Sequence, residues 1–305
     1  MNNTYVIGNG KGGVGKTTTA LHLAALCALD GARALVIDLN GQGNTPQLLG
    51  FANTPEDDNG LNLYQAITAG IPLKPVRDVR PNLDVVPGGD YVKKVGPSIL
   101  MDLFSGEEQA VAYTALARAI SPIAKDYKII FIDTPPENQT ALRLALGAGR
   151  FVVVPIKTEV GMSRKGLREL AGDVRLMREI NPFLTILGGF VFASERGATK
   201  VRREAHDAIA SDLGAECVFK AYIRHTEKVS QDMSKFGRLS FELEKEIDNN
   251  PTFWQLRRGQ VNPADAVIIS PAARGVAEDF QALAKEVLLR AADCRAAAIE
   301  KGNWP

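Results

Sequence analysis

The stretch NGKGGVGKTTTALHLAA, residues 9–25, is the strongest indication of the fold in this 305-residue chain. Residues 10–17 fit the pattern G-x-x-x-x-G-K-[ST], and a short apolar run at 5–8 comes before them. From residue 16 onward the apolar residues follow helical spacing. A glycine-rich turn between a buried strand and a helix is the context in which this pattern forms a phosphate-binding loop. The stretch therefore predicts an α/β fold built around a bound phosphate.

Each residue type in this loop has a physical task. Glycines let backbone N–H groups turn toward phosphate oxygens, and the N-terminus of the following helix adds a partial positive charge. Lys16 is expected to neutralise the β and γ phosphates, and the Thr17 hydroxyl to ligate Mg²⁺. The predicted nucleotide-binding residues are Gly10, Lys11, Gly12, Gly13, Val14, Gly15, Lys16, Thr17 and Thr18.

Short apolar runs alternate with segments of helical spacing along the rest of the chain. The predicted strands, most of them rich in Val and Ile, are residues 5–8, 34–38, 83–87, 129–133, 151–155 and 184–192. The predicted helices are residues 16–30, 109–125, 139–146, 162–180, 200–213 and 271–298. This alternation predicts a doubly wound, mostly parallel sheet with helices on both faces. Nucleotide is then expected at the carboxyl ends of the strands.

Two segments interrupt the alternation. Residues 52–60, ANTPEDDNG, are polar and acidic and predict a loop. Residues 242–265 are charged and contain two prolines and one tryptophan, so they predict an excursion from the core. We expect a single domain over residues 1–305 that carries this excursion and the last helix.

Composition excludes several classes of function. A net charge of +1 gives no whole-molecule attraction for nucleic acid, so any basic surface must be local. No secretory leader is visible, and no apolar run approaches the ~20 residues that span a bilayer. Three isolated cysteines are typical of reduced thiols in a cytosolic protein and predict no metal site: Cys27, Cys217 and Cys294. Three histidines lack metal-ligand spacing and are expected to be structural: His22, His206 and His225.

Two further motifs accompany the phosphate loop, VIDLNGQGN at 36–44 and IIFIDTPP at 129–136. Together with KGGVGKTT they resemble the ParA/MinD family of deviant Walker-type ATPases, specifically its Soj-like ParA branch, which partitions DNA. The resemblance continues through NLDVVPGGD (82–90), FVVVPIKTEVGMSRKGLREL (151–170) and AYIRHTEKVSQDMSKFGRLSFE (221–242), so it covers most of the chain. It implies a P-loop NTPase that uses ATP and Mg²⁺.

The resemblance also implies a dimer in which two molecules sandwich two ATP molecules. Lys11 would reach across the interface to the nucleotide of the other subunit, where a second cation stabilises charge at the leaving oxygen. Asp133 ends a strand and is expected to hold a magnesium-bound water. Asp38 ends another strand and is expected to complete the Mg²⁺ shell with Thr17.

The motif at 36–44 departs from the family pattern Asp-x-Asp-Pro-Gln-Gly-Asn. Asn40 stands in place of the second aspartate, which by the resemblance would position and activate the attacking water. Gly41 stands in place of the proline. An amide cannot accept the proton of the water, although its carbonyl oxygen can orient it. Losing a general base typically costs ~10²–10⁴ in rate, so we expect slow hydrolysis. Glu137 is either a substitute base or a plain exposed glutamate. The predicted catalytic residues are Lys11, Lys16, Asp38 and Asn40.

ParA proteins bind DNA without sequence preference as ATP dimers. From residue 195 to 238 there are nine Lys/Arg and seven Asp/Glu, a local balance of 9 − 7 = +2. The predicted DNA-binding residues, among which the resemblance favours Arg224, are Lys200, Arg202, Arg203, Arg224, Lys228, Lys235 and Arg238. Adenine contacts are expected near residues 193–194 and 222–224. The resemblance further implies a ParB-like centromere-binding partner and a cytoplasmic, nucleoid-associated protein.

Other functions remain open from the sequence alone. A related ATPase that positions a protein cargo would share these motifs, and so would an ATP-sensing scaffold with little hydrolysis. A MinD-like membrane ATPase needs a C-terminal amphipathic helix with bulky apolar residues, whereas the end DCRAAAIEKGNWP is rich in alanine. A redox ATPase like the nitrogenase iron protein needs cysteines placed to hold a cluster between subunits, and the three cysteines are scattered.

Overall fold

The computed structural model describes residues 3–157, 160–195, 197–258 and 268–304. Within these residues eight strands form one sheet: β1 (Thr4–Ile7), β2 (Ala34–Asp38), β3 (Val76–Arg80), β4 (Leu83–Val86), β5 (Ile129–Asp133), β6 (Phe151–Ile156), β7 (Thr185–Ser194) and β8 (Val218–Arg224). Their order across the sheet is β3-β4-β2-β5-β1-β6-β7-β8. The β3–β4 pair is antiparallel, and every other neighbouring pair is parallel.

Thirteen α-helices occur within the described ranges: α1 (Lys16–Leu29), α2 (Asn44–Leu49), α3 (Leu61–Ala69), α4 (Val95–Phe104), α5 (Gln109–Tyr113), α6 (Ala115–Ile120), α7 (Gln139–Ala148), α8 (Val160–Met177), α9 (Thr199–Leu213), α10 (Glu227–Phe236), α11 (Ser240–Glu244), α12 (Phe253–Arg257) and α13 (Ala273–Glu300). None of the described helices is both long and apolar enough to cross a bilayer.

The helices cover both faces of the sheet, because side chains alternate along each strand. On β1, Tyr5 and Ile7 belong to one apolar core and Val6 to the other. Helices α1, α10, α11 and α13 pack into the first core, whereas α3, α4 and α6 to α9 pack into the second. The predicted doubly wound, mostly parallel sheet is therefore confirmed, as are all six predicted strands.

Two predictions about individual elements need correction, and two strands were missed. The predicted helix at 109–125 is broken at Thr114, whose hydroxyl donates to the carbonyl of Ala110 at 2.6 Å, and α5 and α6 lie on either side. Strands β3 and β8, at the two edges of the sheet, were not predicted. The segment at 242–265 is not wholly an excursion, because Leu243 in α11 is fully buried. Residues 259–265 of that segment lie outside the described residues. The predicted loop at 52–60 is confirmed, with neither helix nor strand.

The sheet brings the predicted motifs to one edge. In a parallel sheet the carboxyl ends of the strands meet there, and the register pairs Asp38 at the end of β2 with Asp133 at the end of β5. β5 also pairs with β1, where Ile7 lies opposite Asp133. The phosphate loop follows β1 directly, so the three motifs converge beside the N-terminus of α1.

Candidate functional site

The phosphate loop has the backbone conformation that its glycines allow. Gly13 has a φ of +68° and Gly15 a φ of +80°, in the left-handed region that disfavours side chains. Gly15 is also the N-cap of α1. A Cβ on Gly15 would lie 2.2 Å from the ring of Phe192, so any side chain there would collide with the end of β7.

Lys16 lies buried in the first turn of α1, with 5% of its surface exposed. Its Nζ donates a hydrogen bond to the carbonyl of Lys11 at 2.7 Å, so the ammonium is held against the loop. Burial lowers the pKa of Lys16 to about 8, while the charges of Asp133 and Glu137 oppose the shift. A phosphate would stabilise the charged form further, because it adds negative charge beside a partly desolvated cation.

Thr17 and the two strand-end aspartates form a group of oxygen atoms next to Lys16. The Thr17 hydroxyl donates to Asp133 Oδ2 at 2.5 Å. Within the described part of the chain, the buried Asp133 Oδ1 has no hydrogen-bond partner. Burial, and then the charge of Asp38, raise the pKa of Asp133 well above its usual range. Burial also raises the pKa of Asp38 to about 6. Two buried carboxylates on neighbouring strands are costly without a counter-charge, so this position favours a bound cation.

These residues fit Mg²⁺, which prefers oxygen ligands and commonly takes one or two carboxylates, with phosphates and water completing its shell. Thr17, Asp38 and Asp133, the predicted ligands, would hold it. Among the described residues, no group of three or more His, Cys, Asp or Glu side chains offers another metal site.

Asn40 lies in the turn after β2 with 6% of its surface exposed. Its backbone N–H donates to Asp38 Oδ1 at 2.9 Å, and its side-chain Oδ1 accepts from the backbone N–H of Gln42 at 3.0 Å. Its carbonyl accepts from the N–H groups of Gly43 and Gly89, each at 3.2 Å. The backbone of Asn40 is thus held by three hydrogen bonds, and its side-chain oxygen already has a partner inside the turn.

The neighbouring Gly41 packs against a lysine from the loop after β4. A Cβ on Gly41 would lie 2.4 Å from Lys93 Cγ. The Lys93 ammonium is held by Asp90 at 2.5 Å. A glycine in place of the family's proline predicts a more flexible turn, but here the aliphatic part of Lys93 covers this glycine, and the N–H groups of Gly43 and Gly89 bind the same turn.

A pocket of about 380 Å³ opens over the phosphate loop. Its walls come from residues 13–18, from Asn40 and Gln42, from Phe192, and from Ser230 and Ser234 of α10. Gly12 contacts Pro136 just beside it, and the carbonyl of Gly10 accepts from the N–H of Glu137 at 3.0 Å. Phe192, Ser230 and Ser234 were not predicted, because they lie far from the phosphate loop along the chain.

Of the residues expected near adenine, at 193–194 and 222–224, only some line a common recess. Ala193, Arg224 and His225 line a recess of about 40 Å³ that also reaches Thr18. Ser194 and Tyr222 contact Arg202 instead: the guanidinium donates to Ser194 Oγ at 3.2 Å and lies 4.5 Å from the centroid of the Tyr222 ring.

Glu137 lies on the other side of the loop from Asn40. It is exposed and has a φ of +52°, a conformation that costs a non-glycine residue energy. It lines a second recess with Gly10 and Glu169, whereas Asn40 lines the main pocket. This arrangement does not favour Glu137 as the substitute base.

The predicted DNA-binding residues form two groups rather than one patch. Lys200, Arg202 and Arg203 lie at the start of α9, which packs on one face of the sheet, while α10 with Lys228 and Lys235 packs on the other. Several of the cations have partners within the chain: Arg224 with Asp279, Lys228 with Asp232, and Arg238 with Glu246.

Arg224 is the most strongly engaged of these cations. Its Nε and Nη2 donate to the two oxygens of Asp279 on α13 at 2.7 and 2.8 Å. The guanidinium also lies against Gly275, where a Cβ would be 2.1 Å from Nη1. The geometry thus gives Arg224 a role in attaching α13 to the end of β8, and its part in DNA binding stays a prediction.

His22 is buried in α1, and its expected structural role agrees with its contacts. Its ring stacks on Phe280 of α13 at 3.8 Å between centroids. Its Nδ1 lies 2.7 Å from the carbonyl of Thr18, and its Nε2 accepts from the N–H of Ser240 at 3.1 Å. His22 therefore joins α1, α11 and α13.

Comparison with known proteins agrees with this geometry. A family model described as an AAA domain matches residues 2–186. The chain is 30% identical over 235 residues to the chromosome-partitioning ATPase Soj of Treponema pallidum, which covers 76% of this chain and 86% of the relative. It is also 30% identical over 240 residues to the chromosome partitioning protein ParA of Caulobacter vibrioides, which covers 76% and 84%.

Among solved structures, an ATP complex of McdA from Cyanothece has the same fold, with a TM-score of 0.71 at 20% identity over 94% of this chain and 96% of that one. By its sequence relatives and by its fold, this chain belongs to the ParA/MinD family of P-loop ATPases.

Proposed function

We propose that the protein is a partitioning ATPase of the ParA type. It binds ATP and Mg²⁺, dimerises with the nucleotides sandwiched between subunits, binds DNA without sequence preference, and acts with a ParB-like centromere-binding partner on plasmid or chromosomal DNA. The names of the relatives support partitioning. The observation that carries the ATPase is the contact between Thr17 and Asp133 beside the buried Lys16.

The residues of the chain divide the work on the nucleotide. Lys16 exchanges the carbonyl of Lys11 for the β and γ phosphates, and the loop N–H groups bind their oxygens. Mg²⁺, when bound by Thr17, Asp38 and Asp133, neutralises phosphate charge. Lys11 of the partner subunit adds a cation at the leaving oxygen, and ATP becomes part of the dimer interface.

Hydrolysis is slow in this proposal because the Asn40 side-chain oxygen, with one lone pair engaged by Gln42, orients the attacking water through the other and does not accept its proton. Phosphoryl transfer depends mostly on positioning and electrostatics, so the reaction slows without stopping. The ATP dimer is then long-lived, and the partner protein is expected to set the rate at which it dissociates. If the partner does not raise turnover, the protein acts as an ATP-sensing scaffold, a second function that the engaged oxygen of Asn40 favours.

DNA binding is proposed for the cations that the fold leaves exposed. Lys200 and Arg203 are exposed on α9, and Lys228 and Lys235 on α10. A dimer doubles each group, so ATP would switch DNA binding on. Binding through phosphates loses affinity steeply with salt and is indifferent to sequence.

The test begins with the purified wild type and a Lys16→Ala variant as the control that removes the phosphate-binding cation. We expect the wild type to bind ATP with Mg²⁺, to double in mass by light scattering, and to bind DNA of any sequence only in the ATP state. Lys16→Ala is expected to fail in all three. A wild type that binds ATP but stays monomeric, or binds DNA equally without nucleotide, would contradict the proposed cycle.

A further inference from the structure

A lysine outside the Gly-Lys-Thr motif also lies against the phosphate loop. Lys157 directly follows β6, which pairs in parallel with β1 so that Val153 lies opposite Ile7. Lys157 therefore lies at the same edge of the sheet as the phosphate loop. Its Nζ lies 3.7 Å from the position that a Cβ on Gly13 would occupy.

The site of this contact separates Lys157 from Lys16. Lys16 enters from the first turn of α1, and its ammonium is held at the carbonyl of Lys11. Lys157 enters from the end of β6 and meets the loop at Gly13, which is exposed and has a left-handed backbone. Two ammonium groups from different elements thus approach one short loop. A polyanion bound at this loop would place negative charge within reach of both cations.

We propose that Lys157 is a second phosphate-binding cation of the same subunit, which contacts the β and γ phosphates of the nucleotide from the Gly13 side of the loop. The proposal rests on the proposed nucleotide-binding function and adds a residue to it. It gives the site a cation in cis in addition to the one that Lys11 would supply in trans. Tight retention of the polyphosphate by one subunit then depends less on the partner.

The competing explanation is mechanical. Lys157 would support the loop from outside and never touch the ligand. A support acts on every nucleotide alike and on the nucleotide-free protein, whereas a phosphate-binding cation acts only on ligands that carry β and γ phosphates. The number of phosphates on the ligand therefore separates the two explanations.

The experiment measures the dissociation constants of ATP, ADP and AMP at fixed Mg²⁺ for the wild type, Lys157→Gln and Lys157→Arg. Lys128→Gln is the matched control, because Lys128 is exposed at the opposite end of β5. Hydrogen bonds to charged groups contribute about 1.5–3 kcal/mol, so Lys157→Gln is expected to weaken ATP and ADP at least ~10-fold. AMP is expected to change less than about twofold, and Lys157→Arg to retain most of the affinity for ATP.

Each other outcome overturns the proposal in its own way. Equal losses for AMP and ATP, with a lower melting temperature of the nucleotide-free variant, would make Lys157 a support. Unchanged binding of all three nucleotides by Lys157→Gln would show that Lys157 does not contact the nucleotide. If the wild type itself bound no ATP, the proposed function would fail first, and that failure is visible before any variant is measured.

Discussion

The side-chain oxygen of Asn40 accepts a hydrogen bond from the backbone N–H of Gln42 at 3.0 Å. This oxygen is the acceptor atom of the amide, and its nitrogen can only donate. A carboxylate would give one oxygen to Gln42 and keep the second for a water molecule. The difference between the amide and the acid is therefore larger in this turn than the loss of a proton acceptor alone.

Changing Asn40 to Asp is expected to raise ATP turnover by at least ~10-fold, because a general base typically contributes ~10²–10⁴. One carboxylate oxygen still accepts from Gln42, so the turn should keep its conformation, while the added buried charge near Asp38 should lower stability without Mg²⁺. Phosphate release with saturating ATP, with and without DNA, measures the effect. Asn40→Ala is the control, and its turnover should be at or below that of the wild type. Equal rates for all three proteins would show that residue 40 does not orient the water.

The stem of Lys93 occupies the space that a side chain at position 41 needs. Gly41→Ala is expected to destabilise the fold by about 1 kcal/mol, because a Cβ would lie 2.4 Å from Lys93 Cγ. In the Gly41→Ala/Lys93→Ala double variant most of that destabilisation should disappear, because the Lys93 side-chain atoms that would clash with the new Cβ are no longer present. Urea unfolding of the four proteins of the cycle gives the coupling energy, and strict additivity would contradict the contact.

The sheet was predictable where its strands are buried on both faces. β1, β2, β5 and β6 are almost uninterrupted apolar runs, because helices cover them on both sides. The two edge strands gave no such signal: β3, VRDVR, has no fully buried residue, and β8 mixes charged and apolar residues. Their place is set by pairing with β4 and β7 rather than by composition.

The site was predictable to the extent that local sequence specifies it. The loop motif located Lys16 and Thr17, and strand ends located Asp38 and Asp133. The opposite wall of the pocket comes from α2 and α10, of which α2 has only six residues and α10 is strongly polar, and such helices depend on tertiary packing. The contacts of Phe192 with Gly15 and of Lys93 with Gly41 join distant parts of the chain. No pattern along the sequence reports them.

Arg224 and the exposed cations of α9 should respond differently to substitution. Arg224→Ala leaves the Asp279 carboxylate, of which 10% is exposed, without its bidentate partner, so we expect a decrease of about 2–3 kcal/mol in unfolding free energy. The Lys200→Gln/Arg203→Gln double variant should change the unfolding free energy by less than about 0.5 kcal/mol. That double variant should instead lower DNA affinity and reduce the salt slope by roughly one for each DNA phosphate that the protein no longer neutralises. A stable Arg224→Ala protein whose DNA binding alone is abolished would confirm Arg224 as a DNA-binding residue.

His22 should make stability depend on pH below neutrality. Nε2 accepts from the N–H of Ser240, so a proton there would face another donor, and burial lowers the pKa of His22 to about 4. The unfolded chain takes up this proton near pH 6.5 and the folded chain only near pH 4, so stability falls as pH drops through that interval. Relative to His22→Gln, which cannot titrate, the wild type is expected to lose about 2 kcal/mol between pH 8 and pH 5. Urea unfolding of both proteins at these two pH values cancels the contributions of groups that titrate alike in both. A difference in unfolding free energy that stays constant with pH would mean that His22 is protonated as readily in the folded protein as in the unfolded chain.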